Sequence, residues 1–309
     1  MANSIELCKL YDANLQKIWK RDSLTSLLEN GALVRTFEGA QANEVKLPKM
    51  SVSGLSDYDK ANGYASGSAT LEFETRKLEQ DRGKKFLVDA MDDFESLGIV
   101  VGSLLSEFQR TQVVPEVDAY RFAKIAQGSA TANRAYAAIS AGSTATSALD
   151  TAVLTLNNAE VPMENRVLFC TPAFYQYLKS ALDSKRFFTA NEGVLNRPLE
   201  YLDGMQVVMV PSARFYVGWK KGTSEGYSND GSAINFMVVH KDAVLPVTKH
   251  NPIRAFSPDQ NQDADAWKFN YRLYHDCFVM PNKESGIYVH TATAFAATTT
   301  VTPPTGGGD

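Results

Sequence analysis

Apolar and polar residues alternate along one early stretch of the chain in a pattern typical of a long β-hairpin. Apolar positions recur between Val45 and Val52, a segment rich in glycine, serine, aspartate and asparagine follows at 53–68, and Leu71 and Phe73 then alternate with polar residues. A two-stranded ribbon of this length cannot bury a core of its own. We therefore expect a partner to hold it, in the simplest case another copy of the same chain.

The pattern then changes to a helical one. Apolar residues recur at helical spacing from Phe94 to Phe108, and Pro115 suits the first turn of a second helix, Glu116 to Gln127, which Gly128 closes. Together they predict a near-continuous helical rod. Before the hairpin, residues 10–30 carry apolar positions among charges and end at an Asn-Gly stop signal, which predicts an amphipathic helix or arm that docks on another surface.

The rest of the chain mixes helical and strand patterns. Small residues at 128–147 predict a connection, and Ser147 is the expected N-cap of a helix from Ala148 to Asn157. Further on, the sequence predicts a helix at Ala173–Leu182 and the following strands: Arg166–Cys170, Met205–Val210, Ile234–His240, Trp267–Met280 and, after a turn at 281–286, Ile287–His290. Helices interleaved with strands indicate a mixed α/β or α+β domain.

The composition of the chain argues against several classes of function. The chain has 309 residues, and 31 Lys and Arg against 35 Asp and Glu give a formal net charge of -4, which argues against binding by neutralising nucleic-acid phosphates. Its three cysteines lie far apart and fit neither a disulfide framework nor a zinc site. The first residues lack the apolar run of a signal peptide, so we expect the protein to be cytosolic where it is made.

Every candidate for catalytic or ligand chemistry fails on spacing. The segment that begins at Asp259 resembles a calcium loop but has Ala264 where glycine is needed and Asn270 where glutamate is needed. The four histidines lack metal-ligand spacing, and no glycine-rich phosphate loop is present. We predict no catalytic, cofactor-binding or metal-binding residues. A soluble enzyme with a site assembled from dispersed residues such as Asp259, His275 and Asp276 stays as the weaker alternative.

A dense cluster of charges of both signs follows the hairpin, between residues 79 and 95. One interpretation is a solvated surface, because exposed ion pairs contribute only about 0–1 kcal/mol each. The other is a contact between subunits, in which mixed charges fix the register of a neighbour. We favour the second, because the ribbon independently requires a partner.

Several segments together resemble the major capsid protein of tailed bacteriophages, which has the Hong Kong 97-like fold. The match rests on the order and spacing of these segments: Lys46–Lys49, Gly54–Tyr58, Gly63–Tyr64, Leu71–Glu74, Asp81–Gly83 with Phe86, Asp89 and Asp92, Phe108–Thr111 and Val114–Arg121. It covers about residues 10–295. The resemblance implies an α+β fold with an N-terminal arm, an extended β-hairpin called the E-loop, a long spine helix, and peripheral and axial domains.

The resemblance also implies boundaries for these parts. Residues 1–40 would form the arm and 41–80 the E-loop. Residues 81–145, with the spine helix at about 93–127, and residues 256–295, with the returning long strands, would form the peripheral domain. Residues 146–255 would form the axial domain, and 296–309 a flexible tail.

The function implied is that of a capsid protein that self-assembles as hexamers and pentamers into an icosahedral shell around double-stranded DNA. Implied partners are further copies of the chain, a separate scaffolding protein, a portal and decoration proteins, and the implied location is the virion capsid, assembled in the host bacterial cytoplasm. We expect no membrane and no sequence-specific DNA contact, and the sequence gives no basis for predicting a covalent cross-link. An encapsulin-like compartment of the same fold, which would hold a protein cargo, is the alternative.

The candidate residues for the subunit interface come from the ribbon, from the charged cluster and from the spine. They are Lys46, Lys49, Asp57, Tyr58, Lys60, Arg76, Glu79, Asp81, Arg82, Lys84, Lys85, Asp89 and Arg110.

Overall fold

A computed structural model of the chain describes residues 22–29, 44–58, 60, 66–91, 99–183, 199–223, 225–250 and 253–296. Its helices are α1 (Ile99–Phe108), α2 (Val114–Gln127), α3 (Gly142–Asn158) and α4 (Pro172–Asp183). Its strands are β1 (Glu44–Val52), β2 (Ala69–Lys77), β3 (Gln80–Asp89), β4 (Arg134–Tyr136), β5 (Arg166–Cys170), β6 (Tyr201–Leu202), β7 (Met205–Met209), β8 (Tyr216–Lys221), β9 (Tyr227–His240), β10 (Val244–His250), β11 (Ile253–Phe256), β12 (Ala266–Val279) and β13 (Ile287–Thr291).

These strands form three sheets. The ribbon is the antiparallel pair β1 and β2. A four-stranded sheet is organised around β12, which pairs with β3 along one side and with β10 and β11 along the other. A seven-stranded sheet has the order β4-β13-β9-β5-β7-β6, with β8 also paired to β9.

The seven-stranded sheet is covered by helices on both faces. Along β5, Val167 and Phe169 pack in one buried cluster with Phe122 of α2. Leu168 and Cys170 point the other way, into a second cluster with residues of α3 and α4. Because neighbouring residues of a strand face opposite sides, a strand buried on both sides must be apolar throughout. This explains the continuous apolar run that identifies β5 in the sequence.

The predicted helical rod is confirmed for residues 99–127, where α1 and α2 are joined by one π-helical turn at Gln109–Val113. The turn lies just before Pro115, which has no N–H to donate to the preceding turn. The N–H of Val114 instead donates to the carbonyl of Gln109, five residues earlier. Residues 92–98, which include Phe94 and Leu97, lie outside the described residues.

The helix predicted from Ala148 begins six residues earlier, at Gly142, and Ala141 rather than Ser147 is its N-cap. The side chain of Thr144 accepts a hydrogen bond from the Ala141 N–H and so caps the first turn. Gly142 lies against α4, where an added Cβ would approach the Ala181 side chain to 2.8 Å. Packing against α4 therefore overrides the low helix propensity of this small-residue segment.

The sequence does not indicate the pairing partners of the strands at the C-terminal side. The strand predicted after the turn at 281–286 exists as β13, and it pairs with β9 and with β4. The short β4 lies within the segment expected to be a connection, and β9 extends seven residues further toward its N-terminus than expected. These strands are held by distant neighbours, which local patterns do not encode. The strand pairing therefore crosses the boundaries expected for the peripheral and axial segments.

The described part of the N-terminal segment, residues 22–29, is docked on α2. The Asp118 carboxylate is fully buried and accepts hydrogen bonds from the backbone N–H groups of Leu24 and Thr25 and from the hydroxyls of Ser23 and Thr25. Arg214 forms an ion pair with the same carboxylate at 3.1 Å. The rest of the helix predicted at 10–30 lies outside the described residues.

Helix α3 ends in a Schellman motif with an unfavourable residue in it. The N–H of Val161 donates to the carbonyl of Leu156, and Glu160 takes the left-handed conformation with φ 55°. Glycine adopts this conformation without the Cβ clash. We expect Glu160→Gly to raise the free energy of unfolding of the subunit by about 0.5–1 kcal/mol in chemical denaturation.

The neighbouring Asn158→Gly is the control, because Asn158 is the last right-handed residue of the helix and glycine there lowers stability. A loss of stability in both variants would contradict this account of the helix end.

Candidate subunit interface

The two faces of the ribbon differ in polarity, and the polarity of each face changes between the base and the distal half. Nine residues in each strand pair in register from Glu44 opposite Lys77 to Val52 opposite Ala69, a span of about 30 Å. Directly opposed residues share a face. Val45 and Leu47 therefore lie on one face, which we call the inner face, and Met50, Leu71 and Phe73 lie on the other, the outer face.

The inner face anchors the ribbon to its own subunit near the base. Val45 and Leu47 are 2% and 0% exposed, in a buried cluster with Leu78, Leu245 and Val247. Further along the same face the side chains become polar, and the Ser51 and Thr70 hydroxyls are hydrogen-bonded to each other at 2.7 Å. The subunit itself therefore covers only the base of the inner face.

The outer face is apolar in the distal half of the ribbon and is exposed. The exposed fractions are 58% for Met50, 69% for Val52, 56% for Leu71 and 61% for Phe73, and Leu55 in the following loop is fully exposed. A contiguous exposed apolar face of this kind marks an interaction site in a soluble protein. The distal half of the two strands is thus apolar on its outer face, although the loop that joins them at 53–68 is rich in polar residues.

The candidate interface residues of the ribbon are exposed in the structure. Lys46, Lys49, Asp57, Tyr58 and Lys60 all lie at the surface of the strands or of the described part of the loop. Arg76 is also exposed and forms an ion pair at 2.6 Å with Glu74, which neighbours it on the inner face. Their role in a subunit contact stays a prediction.

The charged segment after the ribbon forms the strand β3, and four of its candidate residues make ion pairs within the same chain. Arg82 pairs with Glu116 of α2 at 2.6 Å and also donates to the carbonyl of Gly226. The other pairs are Glu79 with Lys124, Asp81 with Arg272, and Lys84 with Glu225. The hydrogen bond from Lys84 lowers the pKa of the Glu225 carboxyl. These charges thus connect β3 to α2, to β12 and to the β8–β9 loop, and neither sequence interpretation included this arrangement.

The remaining candidates lie at the two ends of this region. Lys85 is exposed on β3, and Asp89 closes that strand by accepting a hydrogen bond from the Met91 N–H. Arg110 lies in the π-helical turn and forms a forked pair with Glu107, one helical turn earlier. The structure therefore does not gather the thirteen candidates at one point, but distributes them from the ribbon along β3 to the spine.

A cavity of about 390 Å³ opens between β3 and the spine. Its apolar wall includes Phe86, Phe108 and Tyr271, whose rings meet edge to face at centroid distances of 4.9 and 5.7 Å. Its charged lining residues form two ion pairs, Arg82 with Glu116 and Lys84 with Glu225, and Gln112 and His275 also line it. The cavity therefore combines an apolar wall with charged groups that are paired with each other.

The residues named for the enzyme alternative are separated by the structure. Asp259 is exposed in a 3₁₀ turn, whereas His275 and Asp276 are buried on β12. Within the described ranges, no group of three or more histidine, cysteine, aspartate or glutamate side chains is placed to hold a metal ion. None of the helices in those ranges combines the length and the apolar character that a membrane crossing requires.

Burial keeps the thiols of Cys170 on β5 and Cys277 on β12, and the imidazole of His275 on β12, in their neutral forms at neutral pH. Burial raises the pKa of Cys170 and of Cys277 to about 12, so neither provides a thiolate at neutral pH. Burial, with the nearby charges of Arg121 and Arg82, lowers the pKa of His275 to about 4. Burial also raises the pKa of Asp276.

The outer-face residues Met50, Val52, Leu71 and Phe73 were not among the sequence candidates. The signal was present, because the alternation that predicts the hairpin also assigns them to one face. What the sequence does not give is that the opposite face, through Val45 and Leu47, is the one that packs on the subunit. The ion-pair partners of β3 come from residues up to 191 positions away, and no local pattern indicates them.

No protein-family model and no curated protein sequence matches this chain. Solved structures do match it over nearly its whole length. A structure from Mycobacterium phage Che8 aligns with 94% of this chain and 98% of its own, with a TM-score of 0.67 and 16% sequence identity. The capsid structure of the cyanophage P-SCSP1u aligns with 93% of each chain, with a TM-score of 0.68 and 13% identity.

The asymmetric unit of the bacteriophage PhiM1 mature capsid gives a similar result, with 94% of this chain and 93% of that chain covered, a TM-score of 0.63 and 13% identity. At these identities the likeness establishes the fold. The α+β, Hong Kong 97-like fold expected from the sequence is thereby confirmed, since 93–94% of the chain aligns with these structures.

The depressed pKa of His275 predicts a pH dependence of stability. The folded state keeps this imidazole neutral down to about pH 4, whereas an unfolded histidine takes up its proton near pH 6.5. Between these values the unfolded chain binds more protons, so stability falls as the pH falls, by about 3 kcal/mol from this residue. We expect His275→Gln to flatten the plot of unfolding free energy against pH between 6.5 and 4. An unchanged slope would contradict the assignment to His275.

Proposed function

We propose that this chain is the major capsid protein of a tailed double-stranded DNA bacteriophage, and that it self-assembles as hexamers and pentamers into an icosahedral shell that encloses the genome. The observation that carries the proposal is the exposed apolar outer face of the ribbon, on a chain with the fold of phage capsid structures. The fold is one found in capsid shells, and the outer face is the surface that would be buried when such a shell forms.

The ribbon has an anchored base and an exposed distal half. Its base is fixed to the subunit through Val45 and Leu47, while its distal half carries more than half-exposed Met50, Leu71 and Phe73. Burial of apolar surface contributes roughly 25 cal/mol for each Å² removed from water. A second copy that covers the outer face would supply this free energy at every contact in the shell. The ribbon is thus the E-loop, residues 41–80, and it lies across a neighbouring subunit.

The polar candidates would then surround this apolar contact. Exposed Lys46, Lys49, Asp57, Tyr58 and Lys60 are placed to form the polar border that specific interfaces have around a buried centre. The charges of β3 and the spine, Arg76, Glu79, Asp81, Arg82, Lys84, Lys85, Asp89 and Arg110, would act partly within the subunit and partly on the neighbour. Charge complementarity of this kind fixes the choice and register of a partner more than it adds affinity.

The remaining parts follow the same plan. In this proposal residues 1–40 correspond to the arm, residues 81–145 and 256–295 to the peripheral domain, residues 146–255 to the axial domain and residues 296–309 to the C-terminal tail. The shell is located in the virion and is assembled in the host bacterial cytoplasm. Its partners are a separate scaffolding protein, a portal and decoration proteins. The net charge of -4 suits a shell that encloses packed DNA without binding tightly to its phosphates.

The two faces of the ribbon give a matched test. We expect the double variant Met50→Ser and Leu71→Ser, on the outer face, to form no closed shells in negative-stain electron microscopy, because it removes apolar contact area at every subunit boundary. The control, Ser51→Ala and Thr70→Ala, changes directly neighbouring residues on the polar face and should form shells as the parent does.

All four residues are exposed, so both double variants should leave the melting temperature of the unassembled subunit within a few degrees of the parent. Normal shells from the outer-face variant would contradict the proposed contact. A parent protein that forms neither shells nor five- and six-membered rings, both alone and together with a scaffolding protein, would contradict the proposed function.

A further inference from the structure

The junction between the ribbon and the rest of the subunit consists of two residues, Leu78 and Glu79, between β2 and β3. Leu78 is buried in the cluster at the ribbon base, and its carbonyl accepts a hydrogen bond from the Tyr274 hydroxyl at 3.2 Å. The chain then enters β3, which is paired along ten residues with β12. These two residues are the chain connection between the ribbon and β3. They act together with the burial of Val45 and Leu47 at the ribbon base and with the hydrogen bonds that Lys249 and Asn282 donate to the β1 carbonyls of Glu44 and Met50.

A single buried carboxylate connects this junction to the spine. Asp276, on β12, is 1% exposed. Its Oδ2 accepts a hydrogen bond from the Glu79 N–H at 2.9 Å, and its Oδ1 accepts one from the Tyr120 hydroxyl of α2 at 2.6 Å. The Cys277 N–H also donates to Oδ1, at 2.7 Å. One oxygen thus holds the ribbon junction and the other holds the spine helix.

A second connection runs parallel to the first. Lys124 lies one helical turn after Tyr120, on the same face of α2, and its Nζ lies 2.8 Å from Glu79 Oε2. This ion pair is partly exposed, whereas the Asp276 side chain and its hydrogen bond with Tyr120 are buried, and its hydrogen bond with the Glu79 N–H is partly buried. The buried carboxylate is therefore the stiffer of the two connections.

We propose that Asp276 is a positioning residue that fixes the direction of the ribbon relative to the spine helix. A carboxylate is suited to this task because it is an acceptor only and has two oxygens that can hold donors from two different elements at once. Burial raises the pKa of Asp276, but the hydrogen bonds from Tyr120, Cys277 and Glu79 act against this and favour the ionised form, to which hydrogen bonds are about twice as strong as neutral ones. The ribbon and the spine would then keep one relative orientation in the free subunit, before any neighbour is bound.

The consequence for assembly rests on the proposed function. A ribbon that already has the bound orientation loses less conformational freedom when it docks, so less of the contact free energy is spent on ordering it. The positioning itself is a property of the single subunit and can be tested without shells.

The test uses the distance between two spin labels on the unassembled full-length chain, measured by double electron–electron resonance. Cysteines are introduced at the exposed positions Lys49 on the ribbon and Asp150 on α3, and Cys8 is replaced by serine. Cys170 and Cys277 are buried and do not compete for the label. The parent should give one narrow distance distribution.

Asp276→Ala removes both acceptor oxygens, and we expect it to at least double the width of the distribution. Tyr120→Phe removes only the hydroxyl and keeps the ring against Trp219 and His275, so it should fold in any case and give an intermediate width. The same variants should increase amide hydrogen exchange at Glu79, by about tenfold in Asp276→Ala, because that N–H loses its acceptor.

The control is Phe122→Leu, on the same helix. Phe122 packs on Phe169 and Phe215 in the buried core and does not touch the junction, so its substitution lowers stability without loosening the ribbon. The proposal is overturned if both junction variants keep the narrow distribution, or if Phe122→Leu widens it as much as they do. Because no shell is needed, this outcome is independent of whether the chain forms a capsid.

Discussion

The structure depends on one constraint, which is that a two-stranded ribbon has two faces to cover and no core of its own. The chain meets this constraint in two different ways along the same pair of strands. At the base, Val45 and Leu47 are buried against Leu245 and Val247 of the subunit. In the distal half the apolar residues change to the opposite face, where their side chains are exposed. The last buried apolar residue of β1 and the first exposed one, Leu47 and Met50, are thus separated by only two residues.

The spine helix α2 is held on several sides of the subunit. Helix α2 packs on the seven-stranded sheet through Phe122, Ile125 and Ala126, and it contacts the N-terminal segment through Asp118. It is connected to the ribbon junction directly by the ion pair between Lys124 and Glu79, and indirectly through Tyr120 and Asp276. Nearly every residue of the helix interior is buried, which accounts for a helix that is not strongly amphipathic. A rod fixed on several sides provides a rigid reference for the element that projects from it.

The sequence predicts the elements better than it predicts their neighbours. The hairpin, the helical rod and the buried strand at Arg166–Cys170 follow from periodicity, because each is determined by which faces it buries. The start of α3 at Gly142 and the pairing of β13 with β9 do not follow, because contacts with α4 and with a strand some fifty residues away decide them. The resemblance to phage capsid proteins supplied the arrangement of parts that the periodicity alone left open. At the candidate interface, the charges were visible in the sequence, but their partners within the chain, such as Glu116 for Arg82, were not.

The central claim is that a second copy of the chain covers the outer face of the ribbon. Oxidation of methionine measures this directly, since Met50 lies on that face and Met163, 65% exposed in the loop before β5, lies on a different element. Both should be oxidised by dilute peroxide in free subunits, and mass spectrometry can follow each one separately. The account predicts that Met50 becomes protected by about tenfold or more when shells form, and that Ser51→Ala and Thr70→Ala leave that protection unchanged. Equal oxidation of Met50 in subunits and in shells would contradict it.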